Sequence, residues 1–174
     1  MDFITMQELL NHCEQHQMSI AEVMLQREMQ ISGRSRHEII DMMKERLIRM
    51  KEAIDRGVSD GSKAPSGISG GDAILMSRYR ERGGYLSGDL ISDAMRFAFA
   101  TSEINARMGV IVATPTAGSA GILPGCLFAL HENAGLPFEK LIEGLFTASA
   151  IGYVIANQAF ISGAAGGCQA EVGS

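Results

Sequence analysis

The sequence is poor in cysteine, and none of its cysteines lies close to another. Cys13, Cys126 and Cys168 are the only three, with no Cys-x-x-Cys among them. An odd, sparse set argues against a disulfide framework and points to reduced thiols, as in a cytoplasm. No basic-then-apolar stretch opens the chain, so nothing reads as a secretory signal. A dominant basic charge is also missing. The formal net charge is −5, with acids and bases interleaved. This argues against nucleic acid or an anionic membrane as the main partner. At 46% apolar and 20% charged residues, the composition is globular and not disordered.

Charge is missing most completely near the end. Only Glu132, Glu139, Lys140, Glu143 and Glu171 are charged after residue 107, and none is charged from Gly144 to Ala170. That run is long enough to span a bilayer. It also holds Thr147, Ser149, Asn157, Gln158 and Ser162, a polar load that favours a buried soluble helix over a membrane span.

Alternating strand patterns are missing too, and helix signals take their place. Thr5-Met-Gln-Glu8, Ser19-Ile-Ala-Glu22 and Ser35-Arg-His-Glu38 are capping-box patterns, each ahead of an apolar run. They predict helices over 6–17, 20–32 and 36–56. In the third, Ile40, Met43, Leu47, Met50 and Ile54 recur at helical spacing. A short helix over 72–81 is predicted next. From Ser87 a helix should bury Leu90, Ala94, Phe97, Thr101, Ile104 and Met108. Val110 to Ala113 reads as a short strand or an extended entry. Helices follow from Ile122 to about Asn133 and from Leu136-Pro137 to about Gln158, the latter with Pro near its first position. The fold class is all-α. One domain over 1–174 is expected, with amphipathic helices over 1–60 and glycine-rich loops with apolar core helices over 61–174.

Three glycine-rich segments are candidates for chemistry. Thr114-Pro-Thr-Ala-Gly-Ser-Ala-Gly121 carries hydroxyls at Thr114, Thr116 and Ser119, with a helix behind it. Exposed N–H groups at a helix N-terminus suit a carboxylate or phosphate, while a tight capped turn in a core explains the segment equally well. No Gly-Lys-Ser/Thr follows, so it is not a Walker loop. Pro65-Ser-Gly-Ile-Ser-Gly-Gly-Asp72 is a polar loop that also reads as a plain linker. Ser102 and Asn105 lie on the flank of a buried stripe. The last segment, Ala165-Gly-Gly-Cys-Gln-Ala-Glu-Val-Gly173, places Cys168 in a bare glycine turn where a thiol can be reached and ionised. A lone cysteine beside apolar sequence is also often just a small buried residue. Cys13 sits with Met6, Leu9 and Leu10, and Cys126 in an apolar helix. The residues by themselves therefore build no metal centre. The abrupt end after Ser174 leads us to expect a fragment of a longer polypeptide.

Taken together, these segments resemble one family. Asn105-Ala-Arg-Met-Gly109, then Ala113-Thr-Pro-Thr-Ala-Gly-Ser-Ala-Gly-Ile-Leu-Pro-Gly125, then Gly166-Gly-Cys-Gln-Ala-Glu-Val-Gly-Ser174, with Ser66-Gly-Ile-Ser-Gly-Gly-Asp-Ala73 upstream, are similar to the alpha chain of iron–sulfur-dependent L-serine dehydratase. The resemblance implies an all-helical catalytic domain that deaminates L-serine to pyruvate and ammonia without pyridoxal phosphate. It implies a 4Fe–4S cluster acting as a Lewis acid on the serine hydroxyl, with Cys168 as the first of three cluster cysteines and the other two in a missing C-terminal part. This fragment alone is then expected to bind no cluster and to be inactive. Substrate binding is implied for Thr116, Ala117, Gly118, Ser119, Gly70, Gly71, Asp72 and Asn105. A beta chain is implied as partner and source of the base, in a cytoplasmic homo- or hetero-oligomer. No catalytic residue is assigned within this chain. The competing readings are a non-catalytic helical or membrane-associated binding protein, and a pyridoxal-phosphate lyase. The latter needs a Schiff-base lysine; Lys44 and Lys51 fall on a polar helix face, Lys140 in a helix first turn, and only Lys63 in a loop.

Overall fold

The computed structural model describes residues 1–83 and 85–173. Nine helices and no strand occur among them: α1 (Met6–His16), α2 (Ile20–Ser32), α3 (Arg36–Ser59), α4 (Asp72–Arg82), α5 (Gly88–Ala106), α6 (Ile122–Ala134), α7 (Phe138–Gln158), α8 (Gly163–Gly166) and α9 (Cys168–Gly173). The all-α expectation holds, and Val110 to Ala113 is irregular rather than a strand. The glycine-rich end differs from its expected turn, since it forms the short helices α8 and α9. Ser162 caps the first of them through the Ala164 N–H. No helix among the described residues is long and apolar enough to cross a membrane.

The caps explain the early helix starts. Thr5 accepts the Glu8 N–H, and the Glu8 carboxylate accepts the N–H groups of Ile4 at 2.8 Å and Thr5 at 3.0 Å. Ser35 and Glu38 exchange the same pair of bonds. Ser19 accepts the Glu22 N–H, but Glu22 turns its carboxylate to Arg36 at 2.6 Å instead of back to the cap. The bond from Ile4 holds the Glu8 carboxyl below its ordinary range, and the Ser35 hydroxyl does the same for Glu38. A depressed folded pKa stabilises above the unfolded value, and the benefit is lost as pH falls through the folded one. We therefore expect the wild type to exceed Glu8→Gln in melting temperature at about pH 7, with the gap closing as pH falls from the ordinary carboxylate range through the lowered folded-state pKa. A pH-independent gap in thermal melts would contradict this.

The chain forms two compact units. One comprises residues 1–45 with 138–174, the other residues 46–137. These units cut across the compositional boundary near residue 60. In the first unit α2 packs along α7. Phe3, Leu9, Val23, Leu141, Leu145, Ala150 and Val154 are buried there, each large side chain stabilising the fold by about 1.5–3 kcal/mol. Arg27 is buried with them. Its guanidinium lies 3.9 Å from the Tyr153 ring centre and its Nε 3.3 Å from Asp2. The aromatic faces and two carboxylates, Asp2 and Glu28 at 3.7 Å, compensate its desolvation.

In the second unit α5 packs against both α4 and α6. Glycine makes the close approaches possible. A Cβ on Gly121 would stand 2.5 Å from the Ala98 carbonyl oxygen, and one on Gly125 2.7 Å from that of Ala94. The buried face of α5 is partly polar. Phe97, Thr101 and Ile104 are buried as expected, but Leu90 and Met108 are exposed, and Ser92, Asp93 and Glu103 are buried in their place. Asp93 explains its own burial. Arg80 of α4 reaches it at 2.7 Å, Arg96 at 2.8 Å and the Asn133 amide of α6 at 2.9 Å, so one carboxylate ties three helices. Along α3 the buried stripe begins at Ile39 rather than Ile40.

Candidate functional site

The C-terminal end of α5 organises the second unit's two motif loops. The helix stops in a two-bond cap: Met108 N–H donates to the Asn105 carbonyl and Gly109 N–H to that of Ile104, with Met108 at φ 60°. This is a Schellman arrangement. It turns the chain sharply toward the segment that begins at Val110. The Thr114–Pro115 peptide is cis.

The loop that follows is tied together by its own hydroxyls. Ser119 Oγ donates to the Thr114 carbonyl at 2.9 Å. It has a single hydrogen, so at the 3.1 Å contact with Thr116 Oγ1 the threonine donates. Asn105 Nδ2 completes the framework by donating to the Ala117 carbonyl at 3.0 Å. Asn105 and residues 116–119 are thus brought together. Of the two readings of this loop, the tight turn describes its hydroxyls. Ser119 is buried, and Thr114 Oγ1 is buried with no partner. Ser119 shapes the loop instead of offering a free hydroxyl. Ala117 and Gly118 are exposed, and their N–H groups find no acceptor among the described residues. They form the open donor surface. The N-terminus of α6 does not, because its Gly121 cap is pressed on α5.

The second loop is built from the other side of α5. Gly70 and Gly71 have φ of 122° and 95°, conformations that favour glycine. A Cβ on Gly70 would lie 2.4 Å from the Ser62 carbonyl oxygen. Its bareness therefore serves packing of 70 on 62, where a ligand's approach had been expected. Gly71 gives α4 no side-chain cap. Glu103 supplies one from α5, its Oε1 accepting the N–H groups of Asp72 at 2.5 Å and Ala73 at 3.1 Å. The Asp72 side chain stays exposed. Residues 103 and 105 point about 200° apart around a helix, so the two loops flank the end of α5 on different sides. A groove of about 500 Å³ in this unit is lined by Arg49, Glu52, Ala53, Arg56 and Val110, none of them an expected site residue.

Sequence reasoning missed Glu103 and Arg107. Arg107 Nη1 forms an ion pair with Asp60 Oδ2 at 2.7 Å, and its Nε donates to the Glu103 carbonyl at 3.3 Å. The available signal was an acid immediately before the buried Ile104, on the packed side of the helix.

Cys168 belongs to the other unit, where it is an exposed free thiol at the start of α9. Cys126 is exposed and Cys13 half-buried, and burial pushes the Cys13 thiol's pKa up, away from the thiolate a metal needs. No group of three or more His, Cys, Asp or Glu able to hold a metal ion occurs among the described residues.

Comparison with known proteins agrees with this arrangement of motifs. The family profile described as serine dehydratase alpha chain matches residues 15–174. The chain is 46% identical over 172 residues to the probable L-serine dehydratase alpha chain of Bacillus subtilis, covering 99% of this chain and 57% of the relative. It is 34% identical over 170 residues to the L-serine dehydratase alpha chain of Peptoniphilus asaccharolyticus, covering 98% and 58%. To the L-serine dehydratase TdcG of Escherichia coli it is 33% identical over 178 residues, covering 99% and 38%. The chain thus spans about half the length, or less, of these relatives. On this match, which takes in both loops, Asn105 and the Cys168 segment, the chain belongs to the serine dehydratase alpha chain family.

Proposed function

We propose that this chain is the catalytic alpha portion of an L-serine dehydratase, a lyase converting L-serine to pyruvate and ammonia. The observation that carries the reading is the 114–121 loop, fixed by Asn105 so that the Ala117 and Gly118 N–H groups stand free. Two adjacent backbone donors suit a carboxylate, and the relatives over nearly the whole chain are L-serine dehydratases by name. In this reading residues 116–119 bind the substrate carboxylate, with Thr116 half-buried beside it. Gly70, Gly71 and Asp72 shape the opposite rim of the same pocket, and Asn105 holds the first loop in register.

The reaction removes the Cα proton and expels the β-hydroxyl as water. The resulting aminoacrylate tautomerises to an imine, and hydrolysis of the imine returns the water and releases ammonia. Hydroxide is a poor leaving group, and a 4Fe–4S cluster in the assembled enzyme would supply Lewis acidity when bound. Cys168 offers one thiolate, whereas clusters take several. The described residues do not fit the cluster on their own. The remaining ligands and the base are assigned to other parts of the enzyme, including a beta chain, in a cytoplasmic oligomer. This chain alone is expected to be inactive.

Borohydride and air distinguish this reading from a pyridoxal-phosphate lyase. Serine deamination by the assembled enzyme should survive borohydride, which traps Schiff bases, and decay in air. Activity that resists air and is abolished by borohydride would overturn the reading. The lysines agree with it: Lys51 pairs with Asp55, Lys140 pairs with Glu143, and Lys63 is exposed.

A further inference from the structure

The segment from Asp60 to Ala73 is held at both ends by one face of α5. Arg107 takes Asp60 at 2.7 Å, and Asp60 in turn accepts the Ser62 N–H at 2.9 Å. One helical turn earlier, Glu103 accepts the Asp72 and Ala73 N–H groups. Residues four apart on a helix are neighbours on one side, so a single rigid element grips both ends of the loop. On its other side that element grips the second loop through Asn105.

Glu103 is only 4% exposed, and a buried carboxylate is retained in a fold only where it is compensated. Its Oε1 is compensated by the two N–H groups and the positive end of α4. Its Oε2 is buried with no partner. Arg107 makes no ion pair with it, although the two are one turn apart. Gly71 has no side chain to cap α4, so the side-chain cap of that helix, at the Asp72 and Ala73 N–H groups, comes from Glu103.

We propose that Glu103 is a positioning residue for substrate binding, acting through the α4 N-terminal turn, with Arg107 fixing the far end of the same loop. The inference rests on the serine dehydratase reading. Glu103 does not touch substrate. It fixes Gly70, Gly71 and Asp72 relative to the Asn105-held loop, so that the two rims of the pocket keep their spacing.

The test is steady-state kinetics of the assembled enzyme, with activity expressed per folded site. Glu103→Ala should raise KM for L-serine about tenfold or more, with a smaller fall in kcat. Glu103→Gln keeps a carbonyl acceptor for both N–H groups and should return KM to within about threefold of wild type. A merely structural role would lower the folded fraction and leave both KM and kcat per folded site unchanged. Arg107→Leu releases the other end and should raise KM in the same direction. It serves where Glu103→Ala does not fold. Unchanged KM in Glu103→Ala, or in Arg107→Leu if that variant must stand in, would overturn the inference, as would a Gln variant as poor as Ala. Absence of serine turnover in the wild type would instead sink the functional reading itself.

Discussion

Gly57→Ala is expected to destabilise this protein strongly for a change of one methyl group. A Cβ at position 57 would lie 2.4 Å from the Ala100 carbonyl oxygen and 2.6 Å from its carbonyl carbon and Cα. All three are backbone atoms of α5, which cannot swing aside as a side chain could. Alanine is the better helix former by about 1 kcal/mol, but overpacking a tight interface costs about 1–3 kcal/mol or more, and at this contact the whole helix must move. We expect a net loss at the upper end of that difference, about 2 kcal/mol, a fall in melting temperature of about 4–8 °C for a chain of this size. Gly152 is the control. It lies in α7, and a Cβ there would meet nothing within 4 Å, so Gly152→Ala should stabilise by about 0.4–1 kcal/mol. Thermal melts followed by circular dichroism compare the two, and an equal or higher melting temperature for Gly57→Ala would refute the packing account.

Cys168→Ala should have the largest effect on activity. In the assembled enzyme it removes one proposed cluster ligand, so iron content and serine turnover should both fall to background. The fold should not notice. Cys168 is exposed on a short helix and supports no core, so the melting temperature of the metal-free chain should change by no more than a surface substitution does, within about 0.5 kcal/mol. Cys126→Ala, also at an exposed thiol, should keep both iron and activity. Iron analysis with parallel melts separates the cases. Retained iron in Cys168→Ala would remove that residue from the cluster.

The helices were legible because their signals are local. A cap and the acid three residues on, as in Thr5 and Glu8, fix a start without reference to the rest of the chain. Burial within a helix was less legible. The stripe of α3 begins at Ile39 instead of Ile40, since neighbouring isoleucines satisfy nearly the same period. On α5, periodicity selected Leu90 and Met108 and passed over Asp93 and Glu103. Burying an acid depends on partners distant in sequence, such as Asn133 for Asp93 and the Asp72 N–H for Glu103, and no local pattern announces them.

The candidate site was legible as motifs and not as geometry. The sequence joined Asn105 to the 116–119 loop only through family resemblance, and the structure joins them by a hydrogen bond to Ala117. Hydroxyl and glycine content suggested a ligand-facing surface. Ser119 and Gly70 are instead committed inward, one to the Thr114 carbonyl and the other to close packing on Ser62. The same residue types serve a tight turn and an anion site, and the structure shows a tight turn whose Ala117 and Gly118 N–H groups are left unpaired.

Product stoichiometry decides whether L-serine is deaminated at a site organised by the end of α5. The enzyme assembled and reconstituted without air should release pyruvate and ammonia in equal amounts from L-serine with no pyridoxal phosphate added. No pyruvate from enzyme with a full complement of iron would contradict the account.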